Sequence, residues 1–385
     1  MIKVLQICFV YPPSFSGYGR QLHTVNKELM ALDEEVSITV LTAYGGQETF
    51  GIHVKSMLSK IRNAYKYEKI IFFCFSFFFM LRCFWYFQKY DVYHVVKAGP
   101  ETIIPSIFAK VFNKKLIVKV AQDDVKPSDE ASVLQRALRN SRNFFLKKAD
   151  TIIAISDSIV LDLIKIGYPE SQISSIPNSV DTERFKPVSS TEKEFLMEKL
   201  SMSIYNECQI LLFVGAISKR KGIDDLLNAI DLAMIGQDTL FLLVGPLYDV
   251  PNFEKRISEL NEKKEKISIV YREFSESISD YYKISDFLIL PSYSEGMPNV
   301  VLEAIASDVP VILSDIPIHK QLCIDPIGTT FELGNFNSLA SKLENVSNGN
   351  LKKDEFRPRE IAENKYSLPR VSEKYFNLYK DKSQR

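Results

Sequence analysis

The sequence predicts an α/β protein with two doubly wound parallel-sheet domains, and three observations carry that reading. Short apolar runs recur along the 385 residues with helical-period segments between them, the runs fall into two series, and apolar periodicity stops between the series. Strands covered on both faces read as continuous apolar runs, and runs spaced by helices imply βαβ units. The chain is also longer than the about 250–300 residues at which single cores stop growing.

The first series is VLQICFV (4–10), VSITVLT (36–42), VYHVV (92–96), KLIVKV (115–120) and TIIAIS (151–156). The second is QILLFVG (209–215), TLFLLVG (239–245), ISIVY (267–271), DFLILP (286–291) and VPVIL (309–313). Between them SSIPNSVDTERFKPVSSTEKEF (174–195) turns to Pro, Ser and charge, which marks a boundary. The first domain is therefore placed at 1–180 and the second at 181–365, with a terminal helix and tail at 366–385. Helical spacing at Val371, Tyr375, Phe376 and Tyr379 supports that last helix.

One stretch departs from this pattern. IIFFCFSFFFMLRCFWYF (70–87) follows the basic approach KIRNAYKYEK (60–69). As a helix it would run roughly 27 Å, short of a hydrocarbon core of about 30 Å, and Arg82 interrupts it. A membrane span is not expected. A packing helix and a peripheral membrane surface within 60–87 both remain open.

Composition narrows the function classes. Lys plus Arg equals Asp plus Glu at 48 each, so no overall field draws the chain to nucleic acid. The five cysteines are scattered without a C-x-x-C pair, which reads as free thiols in a reducing compartment. The apolar run VLQICFV near the N-terminus lacks the basic n-region, the longer core and the small-residue cleavage site of a secretory signal, so a cytoplasmic location is expected. No D-x-D triplet occurs and no histidine has ligand spacing, so no metal is expected.

In open α/β sheets ligands sit beyond the carboxyl ends of strands, where helices begin. Four such junctions carry candidate chemistry. FVYPPSFSGYGRQLHTVNKEL (9–29) places Gly17 and Gly19 before a helix with Leu22, Val25 and Leu29 on its apolar face. Its backbone can approach a phosphate. A dinucleotide fingerprint fits poorly, because Leu22 stands at the third glycine position and no acidic residue follows VLTAYGG. FVGAISKRKGIDDLLNAI (213–230) crowds Lys219, Arg220 and Lys221 at a helix start, where cations are unfavourable unless an anion joins them. A diphosphate site and a solvated turn offset by Asp224 and Asp225 both fit.

LPSYSEGMPNVVLEAIASDVPVIL (290–313) is the most informative stretch. Pro298 suits a first helical turn. Glu295 lies before that helix, beside the backbone amides of 296–300, and Glu303 lies within it in an apolar setting. A carboxylate there needs partners, and two vicinal sugar hydroxyls would serve. Surface and capping roles remain the alternative. VKVAQDDVKPSDE (118–130) offers Asp123 and Asp124 to substrate hydroxyls or to solvent.

At these residues the chain resembles the retaining glycosyltransferases of family 4, also grouped as glycosyl transferases group 1. Glu295, seven residues and Glu303 match their E-x7-E segment. FVGAISKRKGIDDLLNAI is similar to their G-R-L-x-x-x-K-G segment, ADTIIAISDSI to their A-D-x-x-x-x-x-S strand and SSIPNSVDTERFKP to their I-P-N-G-V-D linker. YPPSFSGYGRQLH is similar to their P-P-x-x-G-G loop.

The resemblance implies a GT-B fold: two Rossmann-like doubly wound domains facing a cleft, with the C-terminal helix crossing back to the first. It implies a metal-independent, retaining transfer of a sugar from a UDP- or GDP-linked donor, with no cofactor beyond that co-substrate. The acceptor is a glycan or lipid-linked hydroxyl, and bacterial surface polysaccharide assembly at the inner membrane face is the expected setting. By the same resemblance Glu303 holds the ribose, Glu295 the donor sugar and Lys221 the diphosphate. Gly17, Gly19, Gly215, Gly296, Met297, Pro298, Asn299 and Val300 line the donor.

The chain also departs from the family pattern. Ala216 stands where an arginine is usual, so Arg220 or Lys219 is expected to compensate. Gln122 replaces a histidine and joins Asp123 and Asp124 as an acceptor-side candidate. Ser307 and Asp308 replace Cys-Gly, and Asp tolerates the left-handed conformation a helix end needs. A nucleotide-sugar epimerase and a non-catalytic sugar-nucleotide binder remain alternatives on the same fold.

Overall fold

A computed structural model describes residues 1–12, 17–32, 35–42, 52–56, 87–121, 143–273 and 277–381. The chain divides into two compact units, Met1–Ser179 with Leu368–Arg385, and Val180–Ser367.

The first unit holds β1 (Ile2–Ile7), β2 (Val36–Thr42), β3 (His53–Ser56), β4 (Val92–Val95), β5 (Lys115–Val120), β6 (Thr151–Ala154) and β7 (Ile173–Ser175). They form one sheet in the order β3-β2-β1-β4-β5-β6-β7 with every pairing parallel. Its helices include α1 (Gly17–Leu32), α2 (Ile103–Phe112) and α3 (Asp157–Lys165). The second unit holds β8 (Gln209–Val214), β9 (Thr239–Val244), β10 (Ile267–Arg272), β11 (Phe287–Leu290), β12 (Val311–Ser314) and β13 (Gly328–Phe331). Their order is β10-β9-β8-β11-β12-β13, again all parallel.

Helices of the second unit are α4 (Ser190–Lys199), α5 (Ile223–Leu232), α6 (Phe253–Lys263), α7 (Ile278–Ile284), α8 (Asn299–Ala306), α9 (Pro317–Leu322), α10 (Phe336–Ser347) and the short α11 (Pro358–Ile361). The last helix, α12 (Leu368–Lys380), returns to the first unit.

Each strand run named from the sequence is a strand here. Three strands were not foreseen: β3 (HVKS), β7 (ISS) and β13 (GTTF). All three are sheet edges, where a strand has one neighbour and needs no continuous apolar run. The buried strands show the reverse, with every residue of β9, β11 and β12 enclosed.

The first unit's core draws Leu22, Val25 and Leu29 from α1 and Val371, Tyr375 and Tyr379 from α12 onto Val4, Ile38, Val40 and Ile117 of the sheet. Inside it lies a buried polar chain. Gln6 and Asn26 exchange two hydrogen bonds at 2.8 and 2.6 Å, Gln6 Nε2 donates to the Tyr379 hydroxyl at 3.1 Å, and that hydroxyl lies 2.8 Å from His94 Nδ1. Each such bond contributes about 0.5–1.5 kcal/mol net, and more is lost if one partner is left alone. Lys115 Nζ closes the end of α12 by donating to the carbonyls of Leu378 and Asp381 at 3.0 and 2.7 Å. Packing and polar register together therefore tie α12 to β1 and β4.

Phe87, the last residue of the aromatic run, is fully buried, with its ring edge-on to Phe108 at 4.9 Å and Tyr93 at 5.2 Å. The rest of 60–87 lies outside the described residues. Among the described residues no helix is long and apolar enough to cross a membrane, and Cys8, Cys208 and Cys323 are free thiols.

Strand order reverses between β1 and β4 in the first sheet and between β8 and β11 in the second. Crevices beyond the carboxyl ends of strands open at such points, so the loops after β8 and β11 are the first place to look for a ligand.

Candidate active site

β8 ends at Val214, and Gly215 follows at φ +146°, a region other residues rarely enter. The chain then makes a 3-10 turn over Lys219–Lys221 and enters α5 through Gly222 at φ +73°. A Cβ on Gly222 would stand 2.0 Å from the Pro291 carbonyl oxygen. That glycine lets the start of α5 lie directly against the loop after β11, and so joins the two informative motifs into one site.

The 3-10 turn sends its three cations in different directions. Lys219 is exposed. Arg220 donates through Nη1 to the Ser294 carbonyl at 2.8 Å, while its own carbonyl accepts from Tyr293 N at 2.9 Å. Lys221 turns inward, and its Nζ lies 2.5 Å from Glu295 Oε1. Its side chain is 12% exposed and that of Glu295 10%. The acidic residues thought able to offset this turn are engaged elsewhere. Asp224 takes Arg256 Nη1 at 2.5 Å, and Asp225 accepts the Tyr293 hydroxyl at 2.7 Å. That bond pushes the Tyr293 hydroxyl pKa up to about 12. Lys219, Arg220, Gly222, Asp224, Asp225 and Tyr293 line a cavity at this rim.

After β11, Met297 is buried and Pro298 caps α8, its carbonyl accepting from Val301 N at 3.1 Å. Gly296 precedes the cap, and Asn299 and Val300 form the first turn of the helix. Backbone N–H groups at a helix start favour an anion. α8 ends at Ser307, and Asp308 takes φ +58°, the left-handed conformation expected of it.

Glu303 lies half-buried on α8 and accepts the Tyr282 hydroxyl at Oε2 over 2.9 Å. Tyr282 is fully buried on α7, with Phe185 edge-on to its ring at 5.7 Å. Burial first, and then the Glu303 charge, hold its hydroxyl pKa well above the usual value. Tyr282 therefore stays a donor, and it fixes one carboxylate oxygen of Glu303.

The structure thus gathers Gly215, Lys221, Glu295, Gly296, Met297, Pro298, Asn299, Val300 and Glu303 on the loops and helices after β8 and β11. Arg220 reaches the same loop through Ser294. Gly17 and Gly19 belong to the first unit, where Gly17 opens α1 and Gly19 is buried in its first turn. Gln122, Asp123 and Asp124 lie outside the described residues. Sequence reasoning missed Tyr282 and Tyr293, although Tyr293 stands inside the quoted motif and its hydroxyl was a visible signal.

The family model for Glycosyl transferases group 1 matches residues 198–365, and that for Glycosyltransferase Family 4 matches residues 15–184. The alpha-galactosylglucosyldiacylglycerol synthase of Streptococcus pneumoniae is 27% identical over 184 residues, 46% of this chain and 47% of that protein. The match thus spans about half the length of that relative. An uncharacterized 41.2 kDa protein in the cps region of Klebsiella pneumoniae is 27% identical over 311 residues, 76% of this chain and 80% of that one. Among solved structures, Anabaena Alr3699/HepE in complex with UDP superposes with a TM-score of 0.76 at 16% identity, covering 98% of this chain and 99% of that one. At that identity the likeness shows the fold.

Proposed function

The chain belongs to the group 1 and family 4 glycosyltransferases, with the two Rossmann-like units of the GT-B fold, and on that footing we propose that it moves a sugar from a nucleotide-diphosphate donor to an acceptor hydroxyl. The observation that carries this reading is the meeting of Lys221, Glu295 and the start of α8 at the strand-order reversal of the second sheet, with Glu303 one helix turn deeper.

Each group has a role that its chemistry permits. Glu303, oriented by Tyr282, accepts from the two hydroxyls of a ribose. The first-turn amides of α8 and the Lys221 ammonium stabilise the negative charge that grows on the departing diphosphate. Glu295 accepts from a donor-sugar hydroxyl. Lys221 has three N–H donors and gives one to Glu295, so it can hold a phosphate oxygen and the carboxylate together. In this reading protein cations and amides supply the charge stabilisation without a metal. The reaction retains anomeric configuration through a same-face displacement, in which the leaving phosphate takes the acceptor proton.

For the setting we propose bacterial surface polysaccharide or glycolipid assembly, with a glycan or lipid-linked acceptor at the inner membrane face. Relatives named as an alpha-galactosylglucosyldiacylglycerol synthase and as a protein in a cps region support that choice. The test is a panel of UDP- and GDP-sugars scored by thermal stabilisation. A ligand at 100 times its Kd adds about 2.7 kcal/mol. Nucleotide release is then followed with and without lipid-linked and oligosaccharide acceptors. Acceptor-dependent release is expected; isomerised donor with no net release would identify an epimerase, and stabilisation without turnover a binder.

A further inference from the structure

His319 takes no part in the chemistry above, yet it is among the most enclosed polar groups of the second unit. It is fully buried on α9, the short helix after β12. Its Nδ1 lies 2.9 Å from the Ser314 carbonyl oxygen and 3.2 Å from Ser314 Oγ. A carbonyl only accepts, so Nδ1 carries the hydrogen and Nε2 is a bare lone pair. Ser314 Oγ donates onward to the Ser292 carbonyl at 2.5 Å. Ser292 opens the loop that carries Glu295 three residues later. A chain of hydrogen bonds thus runs from the ring, through the end of β12, to the base of the donor-side loop.

Among the described residues, two of the buried side-chain atoms without a hydrogen-bond partner belong to residues on this path, His319 Nε2 and Ser292 Oγ. A histidine placed only to fill the core would not need to leave an acceptor unsatisfied, and such atoms call for an explanation. The charges of Glu295 and Lys221 both reach the ring, while burial pushes its pKa down to about 4. The imidazole is therefore neutral near pH 7. It neither repels Lys221 nor competes with a phosphate for it.

We propose that His319 is a positioning residue: its Nδ1–H tether to Ser314, continued by the Ser314 hydroxyl to the Ser292 carbonyl, fixes the 291–298 loop, and so sets where Glu295 meets the donor sugar. The donor half of this statement rests on the function proposed above. Three variants separate the tether from packing. His319→Asn keeps an N–H near the Nδ1 position, His319→Leu removes both nitrogens at similar bulk, and His319→Leu in a Glu295→Gln background tests the link to the carboxylate.

Two readouts are taken on the full chain: hydrogen–deuterium exchange of peptides covering 291–298 without ligand, and the Kd for UDP-glucose and GDP-mannose by calorimetry. His319→Leu is expected to speed exchange and to weaken whichever donor binds, each about tenfold, and His319→Asn to recover both to within about threefold. In the Glu295→Gln background the leucine should add about twofold or less to Kd. Equal exchange in parent, Leu and Asn forms overturns the proposal, as does an undiminished leucine effect without the Glu295 charge. If exchange follows the expected pattern but no form, parent included, binds either donor, the donor-site reading fails while the tether stands.

Discussion

Lys221 and Glu295 hold each other at 2.5 Å with little exposure, so neither can be removed without leaving a charge in a poorly solvated place. Their neighbours show how much depends on orientation. Lys219, Arg220 and Lys221 are consecutive, yet one faces solvent, one braces the loop through Ser294 and one enters the site. The sequence shows the crowd of charge and the following glycine, but the 3-10 turn that sorts the three is a product of Gly222 lying against Pro291. Lys221→Ala is expected to lower turnover by about 10²–10³, as loss of a donor aimed at developing charge does, and Lys219→Ala by about twofold or less. Equal losses in initial rate would reduce the turn to a basic patch. Tyr282→Phe removes the bond that orients Glu303, and nucleotide Kd should rise about three- to tenfold; an unchanged Kd by calorimetry would mean that Glu303 orients itself. Tyr282 was not legible in the sequence, because it comes from a helix whose approach to α8 only the tertiary fold defines.

At the scale of elements, legibility followed burial. Strands enclosed on both faces, such as TLFLLV in β9, announce themselves as apolar runs, whereas HVKS, ISS and GTTF at the sheet edges carry no continuous apolar run. The terminal helix was legible from the spacing of Val371, Tyr375 and Tyr379, but its polar anchorage was not, since Gln6 and His94 meet Tyr379 from two other elements and Asn26 holds Gln6 from a third. Tyr379→Phe should keep the packing and lose that hydroxyl. The stranded partners predict a loss of about 1–3 kcal/mol in the first unit. Urea unfolding checks this, and a loss below a few tenths of a kcal/mol would show that the polar chain is incidental.

Across the whole molecule each unit buries one neutral histidine, with the pKa of His94 pushed down to about 3 and that of His319 to about 4 by burial. Unfolded, each would titrate near 6.5, so below that pH the unfolded chain binds more protons than the folded one. Stability is therefore full above about pH 6.5 and falls with acid through each unit's window, by up to about 1.4 kcal/mol per pH unit per histidine. His94→Asn should flatten the fall in the first unit's Tm between about pH 6.5 and pH 5 relative to the parent, whatever its effect on absolute stability. An identical slope would mean that other groups govern the acid response. The central claim concerns the second unit, that the loops after β8 and β11 form the nucleotide-sugar site with Glu303 on the ribose. Calorimetric titration of UDP and GDP into the full chain and into Glu303→Ala tests it most directly. One nucleotide is expected to bind the parent and to lose at least about 100-fold in affinity to the variant, as a lost charged hydrogen-bond pair requires. Equal affinities in the two proteins would contradict the assignment.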